Sequence, residues 1–196
     1  MNAADLADPA PRLLDAAGRR LVAAPFLASP NFDARPPGTD ISLLVVHAIA
    51  LPPEEFGGGH IDQLFCNSLD AQAHPYFEEI AGLRVSAHAC IFRDGSVHQY
   101  VDFDARAWHA GVSNYCGRDN CNDFSIGIEL EGGDHCPFTD AQYTQLARIA
   151  RALMQQYPRI TAAGIVGHSD IAPGRKTDPG PHFDWTRLHY AVEFGP

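Results

Sequence analysis

The stretch Ile41 to Val46 (ISLLVV) is apolar on both faces, the pattern of a central strand covered from two sides, and it predicts a strand over Ser42–His47. Residues 51–60 (LPPEEFGGGH) pair two prolines with three consecutive glycines and predict a mobile loop flanking His47. Short helical patterns follow around His60–Cys66 and Pro75–Ala81. Ala87–Phe92 and Ser96–Val101 flank Arg93-Asp94-Gly95, and the Asp-Gly pair predicts a hairpin. Phe124–Glu131 alternates: Ile126, Ile128 and Leu130 share one face, while Ser125, Gly127, Glu129 and Glu131 share the other.

Thr139 with Gln142 forms a capping-box pattern that opens a long helix. Its apolar positions Tyr143, Leu146, Ile149, Ala150, Leu153 and Tyr157 recur at helical spacing, and Pro158 ends it. A strand over Gly164–Val166 leads to His168, and an amphipathic helix lies around Asp184–Val192. No internal repeat or linker divides the chain. The expectation is a single α/β domain with one sheet and helices packed against it. Residues 1–30, rich in Ala, Pro and Arg, read as a lead-in wrapping the surface, and 31–196 as the domain.

At 196 residues the chain is long enough for a real core, and 45% hydrophobic against 19% charged residues is an ordinary globular balance. The formal net charge of −10 argues against a nucleic-acid backbone or an anionic membrane surface as partner. It leaves anionic small molecules open, because a pocket can be locally basic. The first residues are acidic and no apolar run follows, so no secretory signal is expected, nor a membrane span. The five cysteines (66, 90, 116, 121 and 136) are an odd set without zinc-ribbon pairing, which fits reduced thiols in the cytoplasm.

Candidate chemistry gathers in residues 167–181, GHSDIAPGRKTDPGP. That density of Pro and Gly predicts a rigid loop rather than a helix or strand. His168 and Asp178 bracket it, and His47 ends the first strand. Two imidazoles and one carboxylate leave the fourth position of a tetrahedral zinc open, the ligand count of a hydrolytic site. The plain alternative is that Asp178 caps the turn before Pro179 and His168 packs against it. Hydrolysis also needs a base. Glu129 suits that role, with Gly127 leaving space beside it, but Glu131 shares the face and alternation does not rank the two. Lys176, two residues before Asp178, is placed to stabilise an oxyanion or is simply a solvated surface lysine. His60, His74, His98, His135, His182 and His189 read as surface or core-edge residues.

Seven longer segments carry a resemblance: LLVVH at 43–47, LPPEEFGG at 51–58, HPYFEEI at 74–80, LRVSAH at 83–88, RAWHAGVS at 106–113, CNDFSIGIELEG at 121–132 and GHSDIAPGRKTDPGPHFDW at 167–185. From about Asn31 to Trp185 the chain resembles the zinc-dependent N-acetylmuramoyl-L-alanine amidases of cell-wall recycling. The resemblance implies the fold shared with phage T7-type lysozyme and the peptidoglycan recognition proteins, a central mixed β-sheet flanked by α-helices. It implies Zn²⁺ held by His47, His168 and Asp178, Glu129 rather than Glu131 as catalytic carboxylate, and Lys176 as the oxyanion-stabilising cation. Arg84, Trp108 and His109 fall in segments that line the substrate groove of relatives.

The implied reaction cuts the amide between the lactyl group of N-acetylmuramic acid, preferably its 1,6-anhydro form, and L-alanine. The implied partner is a small-molecule muropeptide, met by a cytoplasmic monomer. Two departures stand out. Ala48 replaces the Asn that usually follows the first zinc ligand, removing a polar contact to substrate or loop. Asn120 stands where some relatives carry Arg, so a carboxylate-binding role does not transfer to it. The competing expectations are a recognition module that binds muropeptides without cutting them, and a secreted or phage amidase acting on whole wall.

Overall fold

The computed structural model describes residues 12–195, so the first eleven residues of the expected lead-in lie outside the described residues. Along the chain run β1 (Phe32–Asp33), β2 (Leu43–Ile49), α1 (His60–Phe65), α2 (Pro75–Ile80), β3 (Ala89–Ile91), β4 (Val97–Gln99) and β5 (Arg106–Ala107). Then come β6 (Asn114–Tyr115), β7 (Arg118–Asp119), β8 (Ser125–Glu131), α3 (Asp140–Gln156), β9 (Ile165–Gly167), α4 (His168–Ile171) and α5 (Trp185–Phe194).

The central sheet has strand order β4-β3-β8-β2-β9. β3, β8, β2 and β9 run parallel, and β4 pairs antiparallel with β3 at one edge, so the sheet is mixed as expected. Leu43 to Val46 are fully buried, because β2 has a neighbour on each edge and cover on each face. On one face Leu44, Val46, Ile126, Ile128 and Leu130 pack with Leu146, Ile149, Ala150 and Leu153 of α3 and Leu188 and Val192 of α5. On the other, Leu43, Val45 and Val166 meet Ala110, Cys121, Phe124 and Ile171, while Cys90 packs with Phe65 of α1 and Phe77 of α2.

The local signals act as the sequence predicts. Thr139 Oγ1 accepts the Gln142 N–H and Gln142 Oε1 accepts the Thr139 N–H, closing the capping box at 3.2 and 3.0 Å. Asp184 caps α5 by accepting the Arg187 N–H at 2.9 Å. Gly95 takes φ +86° in the β3–β4 turn, a conformation that favours glycine. Two expectations change. Residues 168–171 form a one-turn helix rather than loop, because Asp170 accepts the Gly167 N–H at 2.7 Å and Pro173 enters only after the turn is complete. Leu14 and Leu21 of the lead-in are buried in the main core, so residues 12–30 do more than wrap the surface. All five cysteines are free.

Candidate active site

Three parallel strands end at the same edge of the sheet, where open α/β sheets place their ligands. β2 carries His47 there, and its register partner on β8 is Glu129. β9, on the other side of β2, ends at Gly167 and hands the chain to His168, the first residue of α4. The loop then turns back: Ala172 O accepts the N–H groups of Arg175 and Lys176, and the Ser169 N–H bonds the Asp178 carbonyl at 2.9 Å. Gly167 permits this return, since a Cβ there would lie 2.9 Å from Pro179 Cδ.

His47 Nδ1, His168 Nδ1 and Asp178 Oδ2 consequently converge, with separations of 3.0, 3.0 and 3.1 Å. The imidazoles are buried and the carboxylate is 17% exposed. His168 Nε2 lies 3.0 Å from the Ala110 carbonyl, an acceptor only, so it carries the ring proton and leaves Nδ1 as a lone pair facing the cluster. Burial holds His47 below the ordinary imidazole range against the pull of Asp178, so it too is in the neutral, ligating form. Three convergent acceptors at this spacing fit a divalent metal and form a set able to hold one.

Glu129 and Glu131, which alternation left equal, are now distinct. Glu131 is spent on structure: its Oε1 accepts the Gly57 N–H at 2.6 Å and its Oε2 the Arg93 N–H at 3.1 Å, fastening the glycine loop to the sheet. Glu129 Oε2 is buried without a partner. Burial pushes its proton affinity well up, Asp178 adds to that, and Lys176 offsets part of it. Glu129, Lys176 and the three cluster residues line one open cleft, walled by Tyr76, Trp108 and the Gly132–His135 segment. Lys176 is exposed at its rim.

Among the expected groove residues, Trp108 is half-buried in the cleft wall. Arg84 is exposed in an adjoining hollow that it shares with Arg175, Lys176 and Asn122. Arg175 is pinned there, donating to the Ala110 and Val112 carbonyls at 2.7 Å each. His109 borders the cleft, but both its ring nitrogens are engaged, Nδ1 with His47 Nε2 at 2.9 Å and Nε2 with Ser125 Oγ at 3.1 Å. Its ring nitrogens are therefore taken up within the protein, while the residue still lines the cleft and the adjoining hollow. The room that Gly127 leaves on the Glu129 face holds the His109 ring, with which a Cβ at 127 would collide. A glycine inside a strand signals such close approach, but it does not say what approaches. His88, which no periodicity singled out, is fully buried behind His109.

Strand ends that bring a cluster able to hold a metal beside a buried, unpaired carboxyl in an open cleft are the arrangement of a hydrolase site. A family model for N-acetylmuramoyl-L-alanine amidases matches residues 37–181, and the chain belongs to that family. It is 62% identical over 172 residues to 1,6-anhydro-N-acetylmuramyl-L-alanine amidase AmpD of Escherichia coli (strain K12), covering 88% of this chain and 93% of that protein. A crystal structure of a selenomethionine AmpD derivative is similar with TM-score 0.88 at 59% identity, covering 92% of this chain and 99% of that one. AmpDh3 from Pseudomonas aeruginosa in complex with anhydromuramic pentapeptide gives TM-score 0.58 at 32% identity, covering 80% of this chain and 61% of that one.

Proposed function

We propose that this enzyme is a zinc-dependent amidase of peptidoglycan recycling. It hydrolyses the amide between the lactyl group of N-acetylmuramic acid, preferably the 1,6-anhydro form, and L-alanine in soluble muropeptides. One observation carries the reading: three convergent acceptors stand in the same cleft as a buried carboxyl oxygen that has no partner of its own. The similarity to proteins named for that reaction supplies the substrate. We place the enzyme in the cytoplasm as a monomer, meeting wall fragments returned during turnover, with neither nucleic acid nor membrane as partner. No helix among the described residues is long and apolar enough to cross a membrane.

His47, His168 and Asp178 would hold the zinc. Bound there, zinc supplies Lewis acidity toward the scissile carbonyl and toward a water molecule. The remaining work belongs to the chain's own side chains. Glu129, with its raised proton affinity, takes a proton from the attacking water and returns it to the departing alanine nitrogen. Lys176 presents its ammonium from the rim to the negative charge that develops on the carbonyl oxygen. Trp108 offers an apolar face to the sugar, and Arg84 a cation to the acidic peptide stem.

The test is mass spectrometry of purified anhydro-muropeptide before and after incubation with zinc-loaded protein. Release of the free L-alanyl peptide and the anhydro sugar is expected. An unchanged substrate would overturn the proposal. Equal rates on anhydro and reduced-sugar muropeptides would remove the recycling specificity and leave the amidase chemistry standing.

A further inference from the structure

The protons around His47 can be placed by counting from the far end of a buried hydrogen-bond chain. Ser125 Oγ has one proton and lies against the Cys121 carbonyl, which only accepts, so the proton is donated there. The Ser125 lone pair then faces His109 Nε2 at 3.1 Å, and that nitrogen must carry a hydrogen. A neutral imidazole has one N–H, so His109 Nδ1 is an acceptor. It stands 2.9 Å from His47 Nε2, which therefore donates. What remains on His47 is the Nδ1 lone pair, aimed into the cluster with His168 and Asp178.

We propose that His109 is a positioning residue: by accepting the His47 Nε2–H, it fixes the tautomer and orientation in which His47 can bind metal. The inference rests on the zinc reading of the cluster. A single backbone carbonyl sets the direction of the whole chain. With the opposite tautomer, His109 would place a bare nitrogen against an oxygen that has no proton to give. It would also face His47 Nε2 with a donor, driving the His47 proton onto the metal-facing nitrogen.

The His109 ring is held for this task from several sides. Asn122 Oδ1 accepts the backbone N–H groups of His109 and Ala110 at 3.1 and 2.8 Å. Gly127 leaves the slot in which the ring lies. The His47 and His109 rings meet at 83°, a twist about the Nε2–H···Nδ1 axis that leaves the bond intact. Adjacent residues thus serve the two imidazole ligands, His109 through its side chain and Ala110 through its carbonyl to His168.

Chelator competition would give the zinc affinity of the wild-type enzyme, His109→Leu, His109→Asn and Ser125→Ala. Cobalt(II) d–d spectra would report the ligand geometry of each. His109→Leu should bind zinc roughly 10–100-fold more weakly and shift the cobalt bands, the scale on which partners behind a metal ligand act. His109→Asn should recover most of the affinity, because its Oδ1 stands where Nδ1 stood and accepts the same proton. Ser125→Ala should fall between, since His109 is then free to take either tautomer. Wild-type affinity in His109→Leu, or equal weakening in Leu and Asn, would overturn the proposal. Should His109→Leu fail to fold, unchanged zinc affinity in Ser125→Ala overturns it, and weakened affinity supports it. A wild-type enzyme that binds no zinc would sink the metal reading, and this inference with it.

Discussion

His88 should make the fold sensitive to acid. Its ring is fully buried; Nδ1 accepts the Gly127 N–H at 3.0 Å and Nε2 donates to the Ala105 carbonyl at 3.2 Å. A second ring proton would replace the acceptor that Gly127 needs. It would also put a positive charge 3.3 Å from the Arg35 guanidinium, itself buried enough to be pulled down to about 10. Burial first, and Arg35 second, push His88 down to about 3 from an ordinary value of 6.5. Because the folded value is depressed, this contribution to stability is whole above 6.5 and is lost as pH falls from there toward about 3. Between pH 7 and pH 5 the unfolded chain gains the proton and the folded one does not, which costs about 2 kcal/mol.

The assay is urea unfolding of wild type and His88→Asn at pH 7 and pH 5 in the same zinc concentration. Asn keeps an acceptor for Gly127 and loses the Ala105 bond, so it should be the less stable protein at pH 7 by about 1–3 kcal/mol. At pH 5 that gap should shrink by about 2 kcal/mol, because Asn has nothing to titrate. The other buried imidazoles titrate alike in both proteins and cancel in the difference. A gap that stays constant between the two pH values would refute the reasoning.

The two strand glutamates should separate cleanly. Glu129→Gln should keep zinc and lose roughly 10²–10⁴-fold in turnover, while Glu131→Gln should lose far less turnover but about 1.5–3 kcal/mol of stability, since it sets an amide donor against the Gly57 or Arg93 N–H. The opposite order of activity loss would reverse the assignment. Asp178→Ala should lower zinc affinity sharply, because two imidazoles alone leave the charge of the ion unbalanced, and full occupancy by metal analysis would count against the cluster. Ala48 borders the cleft beside His47, while its Cβ shares the face of Val46 and Leu130. An Asn side chain that follows that Cβ leaves kcat/KM within about twofold in Ala48→Asn, and a rise of about two- to twelve-fold, the worth of one bond of roughly 0.5–1.5 kcal/mol, would show that it reaches the substrate instead.

The sequence by itself determined the pieces whose signals are local. Period-2 and period-3.6 patterns mark β2, β8 and α3, Thr139 with Gln142 marks where α3 starts, and Asp94-Gly95 marks the hairpin, because each depends on residues within one turn or one strand. The residues that converge, His47, His168 and Asp178, were also legible, through long contiguous motifs rather than through spacing. What touches across elements was not. Alternation put Glu129 and Glu131 on one face; only the packing of the Gly57 loop and the Arg93 turn over Glu131 left Glu129 as the unpaired one. Gly127 announced a close approach, and the tertiary structure supplied the His109 ring that makes it. His88 sits beside Arg35 across 53 positions of chain, and Leu21 reaches Gln99 across 78. Such neighbours arise from the order β4-β3-β8-β2-β9, a choice among strand pairings that the whole core makes at once and that no single segment encodes.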